Sequence, residues 1–107
     1  MKTVKLMNEF LHGPIWIIDD EGWITDDLPL VNDDPVLKEL NERAMEMYDN
    51  YYEFDSHDVA CWFNHEQEKA DKDIMLDIIN KIKARLDEIN DGSFVVEDYV
   101  TEHLKNL

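Results

Sequence analysis

A chain of 107 residues has room for one domain and not two, and its 44% hydrophobic content, with three Trp, four Tyr and four Phe, supplies a core that needs no staple. Its 26 acidic and 10 basic residues give a formal charge of -16, which repels a phosphate backbone and sets direct nucleic-acid binding aside. No run reaches the ~18 apolar residues of a membrane span, and Cys61, the one cysteine, has no internal disulfide partner, so a soluble cytoplasmic protein is expected.

The opening "MKTVKLMNEFLHG" carries two lysines but no long apolar run and no small-residue cleavage site, unlike a signal peptide. Within it, residues 3–11 are ambiguous between strand and helix, and Leu6, Phe10 and Leu11 favour a short helix. "IWIIDDEGWIT", 15–25, reads as two β-rich runs around a turn at Asp19-Asp20-Glu21-Gly22, between the boundaries Pro14 and Pro29. "DDPVLKELNERAMEMYDNYYEF" is the clearest helix. Asp33 or Asp34 caps it, and Pro35 takes its first position. Leu37, Leu40, Ala44, Met47, Tyr51 and Phe54 form its apolar stripe. A further cap signal at Asp55 and Ser56 predicts a helix over 57–70 with Val59, Trp62 and Phe63 inward, restarting at Asp71. "DIMLDIINKIKARLDEIN" continues with Met75, Ile78, Ile82, Leu86 and Ile89 on one face. Gly92 stops it, and "VVEDYVTEHLKNL" reads as a closing helix. The expected architecture is mainly α: a small helical bundle with a short N-terminal β-hairpin or extended segment.

Catalytic and metal motifs are incomplete. A calcium loop around Gly22 needs an acid five residues before the glycine and a Glu six after, where Ile17 and Leu28 stand. His57, Cys61 and His65 would share one helical face, but residues eight apart lie ~12 Å apart along the axis. Zinc needs its ligands at ~2.0–2.3 Å. Cys61 with His57 or His65 could form a small Cys/His enzyme. Yet its acidic and aromatic surroundings raise rather than lower a thiol pKa, and Cys61 reads as a buried structural cysteine. No metal, no cofactor and no catalytic turnover are expected.

The charge is uneven. Residues 1–68 carry 17 acids and 4 bases, and residues 69–107 carry 9 and 6. Solubility alone asks for a net charge of ~2–8 in a small domain, so the excess points to a basic partner. On the helix from Pro35, Glu39, Glu42, Glu46, Asp49 and Glu53 follow at +3/+4 spacing, about 150° from the apolar stripe. Like charges at that spacing destabilise a helix by a few tenths of a kcal/mol each, which a merely solvated face avoids by mixing signs. Tyr48 and Tyr52 fall between the two rows, where an aromatic anchor with a polar tip would sit. The candidate binding residues are therefore Glu46, Asp49, Tyr52, Glu53 and Asp55, followed by Asp19, Asp20, Glu21, Asp26 and Asp27 around the acidic turn.

The stretches "FLHGPIWIIDDEGWIT", 10–25, and "INDGSFVVEDYVTEHL", 89–104, cover about a third of the chain. Together with the small size and acidity they resemble bacterial toxin-immunity proteins, particularly those of contact-dependent growth inhibition systems. The resemblance implies a function class and no architecture. The implied partner is a cationic nuclease domain, an RNase acting on tRNA, blocked at its cleft or beside it. A DNA mimic or regulatory protein-binding module is the competing expectation.

Overall fold

Strand β1, Lys2–Leu6, buries Val4 and Leu6 and turns Thr3 and Lys5 the other way. That period of two explains why residues 3–11 open as a strand and not as the expected helix. The computed structural model describes residues 1–56 and 59–107, with the backbone alone for residues 55, 56, 59 and 60. Strand β2, Ile15–Ile18, pairs antiparallel with β1, Val4 opposite Ile17. The acidic turn follows as expected, with Gly22 at φ 88, a left-handed value that favours glycine. The second run of the predicted hairpin returns only as a single bridge between Ile18 and Ile24.

Helix α1, Pro29–Asn32, is one turn and leads into α2, Pro35–Asp49. Asp34 caps α2, its carboxylate accepting from the Leu37 N–H at 2.9 Å. The same carboxylate accepts from Arg85 Nε at 3.0 Å and Nη2 at 2.7 Å. Helix α2 stops five residues before Phe54, which lies instead in strand β3, Tyr52–Ser56. Strand β4, Val59–Phe63, pairs antiparallel with it, Tyr52 opposite Phe63. Within the span 57–70 expected to be helical, residues 59–63 are thus a strand, and residues 57 and 58 lie outside the described residues. Val59, Trp62 and Phe63 are β-branched and aromatic, and they favour pairing over a cap at Asp55 and Ser56. The true cap is Asn64, whose side chain accepts from Gln67 N–H to start α3, His65–Ala70.

The restart at Asp71 opens α4, Lys72–Ile89. It buries Met75, Ile78, Ile82 and Leu86 as the periodicity predicts, and Ile79 besides. Gly92 at φ 94 follows its end. The predicted closing helix divides in two: Phe94–Asp98 is strand β5, parallel to β1, and only Thr101–Lys105 is helical, as α5. The order β2-β1-β5 makes a three-stranded mixed sheet, and β3-β4 a separate pair. Val4, Leu6, Ile17 and Phe94 from the sheet join Leu37, Leu40 and Ala44 of α2, the α4 stripe and Leu104 of α5 in one core. The protein is therefore a two-layer mixed α/β domain with an added hairpin, and the mainly-α bundle is overturned by five strands among the described residues. Among those residues no helix is long and apolar enough to cross a membrane.

Gly13 fixes the loop between β1 and β2 against α2. A Cβ there would lie 2.2–2.4 Å from the side chain of Asn41, whose Oδ1 accepts from Ile15 N–H at 3.0 Å. Gly13→Ala is expected to displace Asn41, leave that N–H without its acceptor and cost about 1–3 kcal/mol in urea melts. An unchanged midpoint would show that Asn41 swings aside at no loss.

Candidate functional site

The expected row of acids on α2 is real but shorter than its sequence suggested. Glu39, Glu42 and Glu46 are exposed along the helix, and Asp49 ends it. Asp49 is not an idle charge: its Oδ1 accepts from Leu11 N–H at 2.9 Å and so ties the β1–β2 loop to the end of α2. Tyr52 and Glu53 belong to β3 and not to the helix. Glu53 accepts from Asn64 Nδ2 at 3.0 Å, linking β3 to the residue that caps α3. Asp55 carries no described side chain, and His57 lies outside the described residues.

Aromatic rings converge where these elements meet. Tyr52 packs tilted against Phe10 (4.6 Å between centroids) and edge-on to Phe63 (5.0 Å) and Tyr48 (5.7 Å), and Phe10 reaches Phe54 at 5.8 Å. This cluster seats the β3–β4 pair on the end of α2. Burial pushes the Tyr48 phenol up, helped by its hydrogen bond with Tyr52 and by the nearby charges of Glu9 and Glu68, so it stays protonated at neutral pH. Two large apolar residues at the cluster remain in water: Phe54 is 57% exposed and Leu11 72%. Leu11 also holds φ 59, a left-handed value that costs a side-chain-bearing residue ~1–2 kcal/mol. Leu11 follows Phe10, whose ring lies 5.8 Å from that of Phe54, and Glu9, Asp49 and Glu53 adjoin these residues along the chain or through the Leu11–Asp49 hydrogen bond, which combines steering charge with contact area.

The second set of predicted acids lies elsewhere. Asp19 accepts from the N–H groups of Glu21 and Trp23, both at 2.9 Å, and so shapes its own turn. Asp20 pairs with the Met1 amino group, and Asp27 approaches Lys2 Nζ at 3.9 Å. Glu21 and Asp26 are exposed, near exposed Trp23 and Ile24. This set sits at the Lys2 end of β1, whereas Asp49 holds the loop beyond the Leu6 end. The ten predicted residues thus form two groups at opposite ends of one strand, in a molecule 48 Å long.

No protein-family model, curated protein or solved structure matches the chain. Its chemistry is read from its own surface.

The zinc and cysteine readings lose their premise. Cys61 is on β4 and exposed, not buried in a helix, and His65 starts α3 with its ring 4.7 Å from Phe63. The spacing of 57, 61 and 65 no longer describes one helical face. Among the described residues no three His, Cys, Asp or Glu side chains gather as metal ligands would.

Sequence reasoning missed a pocket next to the aromatic cluster, lined by Met7, Asn8, Tyr48, Tyr99, Val100 and His103. Strands β1 and β5 are parallel, so the residues that follow each emerge side by side, with Tyr99 N–H bonded to Leu6 O at 2.9 Å. Helix α2 adds Tyr48, and α5 adds His103, whose Nε2 lies 3.1 Å from the buried carboxylate of Glu68 on α3. No spacing along the chain announces this convergence of residues 7–8, 48, 68 and 99–103.

Proposed function

We propose that the protein is an immunity-type inhibitor that binds and neutralises a cationic nuclease toxin domain, of the RNase class that cuts tRNA, in the cytoplasm. It works by occlusion and without turnover. The observation that carries this reading is that Leu11 and Phe54, joined through Phe10 and flanked by Glu9, Asp49 and Glu53, are exposed on a domain of charge -16. Acids draw a basic protein in, and exposed apolar side chains give it something to bury. A DNA mimic or regulatory protein-binding module would use the same charge, but a surface that only imitates phosphates gains nothing from an exposed leucine held in a strained conformation.

The test is capture followed by protection. Immobilised protein in a lysate of its native strain should retain a basic domain that raised salt weakens, and co-expression should rescue cells from that domain. A toxin reading frame next to its own supports the same reading. Retention of no basic protein, or retention without rescue, overturns it.

A further inference from the structure

The pocket between the ends of β1 and β5 holds a chemical imbalance. Asn8 lines it, and Asn8 Oδ1 is buried with no hydrogen-bond partner among the described residues. A buried acceptor left unmet costs ~1–3 kcal/mol, so the site is short of a donor. Glu68, 4% exposed, places a carboxylate behind His103, its one hydrogen-bond partner among the described residues. Tyr48 and Tyr99 supply aromatic walls. Tyr99 already holds a cation on its ring, with Lys5 Nζ 5.0 Å from the centroid. The cavity, about 290 Å³, is at the small end for ligand sites and suits one side-chain head.

These features select for a donor-rich, planar cation. An anion would be repelled by a domain of charge -16. An apolar group would leave Asn8 Oδ1 unmet. A guanidinium carries five N–H donors in a plane, can donate to the amide oxygen of Asn8, and stacks on the tyrosine rings. We infer that this pocket takes the guanidinium of an arginine side chain presented by the basic partner. The inference rests on the reading above for the source of the arginine, but the pocket can be tested without any partner. It gives the acidic face a second element: charge attracts, Leu11 and Phe54 bury area, and the arginine pocket sets register.

The experiment titrates the ¹⁵N-labelled protein with N-acetyl-arginine amide, and with the citrulline and lysine amides as neutral and non-planar controls. Saturable shifts are expected at the Asn8 side-chain amide and at residues 7–8 and 99–103, with a dissociation constant of roughly a millimolar. Citrulline amide should give none, and lysine amide should bind several-fold more weakly. Asn8→Leu should fold, melt no lower than the parent because it removes an unmet acceptor, and weaken arginine amide at least about tenfold. Shifts that do not saturate, that spread over the acidic surface, or that persist in Asn8→Leu show general charge attraction only and overturn the inference. Equal binding of lysine amide overturns the guanidinium assignment. The two readings fail separately. A captured basic domain that binds Asn8→Leu at full affinity removes the pocket and leaves the inhibitor. Saturable arginine binding with no basic domain captured removes the inhibitor and leaves the pocket.

Discussion

Asp34→Ala is expected to lower the unfolding free energy by about 2–4 kcal/mol. Two separate contributions are removed together. The cap to Leu37 N–H is worth ~0.5–2 kcal/mol, and charge-assisted hydrogen bonds, such as those from Arg85, are worth ~1.5–3 kcal/mol. Arg85 is not stranded by the change, since its Nη1 keeps Glu88 Oε2 at 2.7 Å. That remaining partner holds the cost below the sum. Asp34→Asn separates the two contributions, because an amide can still cap α2 but cannot pair with the guanidinium as a carboxylate does.

The same carboxylate gives a pH signature. The Arg85 hydrogen bonds hold the Asp34 carboxyl below the usual carboxylate range, against the opposing effect of burial, and the Leu37 N–H adds to the lowering. A depressed folded-state value means the stabilisation is fully present above the unfolded value of about 4 and is lost as pH falls through the folded one. Acid also discharges the -16 surface and relieves its repulsion, which pushes the other way. The difference between wild type and Asp34→Asn cancels that general charge effect. Urea melts at pH 7 and at pH 3 should show the gap between them shrinking in acid. A gap that stays constant would mean that Asp34 contributes only as a cap.

Asp34 also shows what the sequence makes legible. An Asp before a Pro, followed by apolar residues at +3 and +4, is a local signal, and α2 and α4 are local structures. Leu37, Leu40 and Ala44 are buried as that spacing requires, as are Met75, Ile78, Ile82 and Leu86. The partner that makes Asp34 costly to remove, Arg85, lies 51 residues away, and nothing local announces it. Ile15–Ile18 was legible as a strand, but β1 and β5 were not, for the same reason. Lys2–Leu6 is a strand because Phe94–Asp98 and Ile15–Ile18 lie on either side of it, and its own alternation at Val4 and Leu6 is too short to outweigh the helical spacing of Leu6, Phe10 and Leu11. Residues 52–63 misled in another way. Asp55 and Ser56 are cap residues by type, and that local signal outweighed the β-branched and aromatic run from Val59 to Phe63. For the candidate face, the charge was legible and the geometry was not. Asp49 and Glu53 looked like consecutive members of one helical row. In the fold, one ties a loop and the other spans to the α3 cap. Leu11, the residue with the strained backbone, carries no sequence signal beyond being apolar.

That division decides how the acidic face should be tested. Reversing Asp49 or Glu53 would break hydrogen bonds to Leu11 and Asn64, and any lost affinity would be confounded with a moved loop. Glu46 and Glu9 are exposed. Glu46 follows Glu42 and Glu39 on the outer side of α2, and the Glu9 carboxylate accepts from the N–H of its neighbour Phe10. Glu9→Lys with Glu46→Lys changes the net charge from -16 to -12 and leaves every cap and core contact in place. The fold should hold, and its melting temperature should not fall, because replacing Glu46 relieves a like-charge pair with Glu42. Association with the captured basic domain should nonetheless slow by about tenfold or more at low salt, since steering raises association rates by ~10–10³. The deficit should shrink as salt rises and the Debye length falls from ~10 Å at 0.1 M to ~3 Å at 1 M. Dissociation should change less, because exposed rim charges act mainly on approach. Stopped-flow association at two salt concentrations reads all of this. If the double variant associates as fast as wild type at low salt, the face around Leu11 and Phe54 is not where the partner lands. The contact then moves to the other end of β1, where Glu21 and Asp26 are exposed beside Trp23 and Ile24.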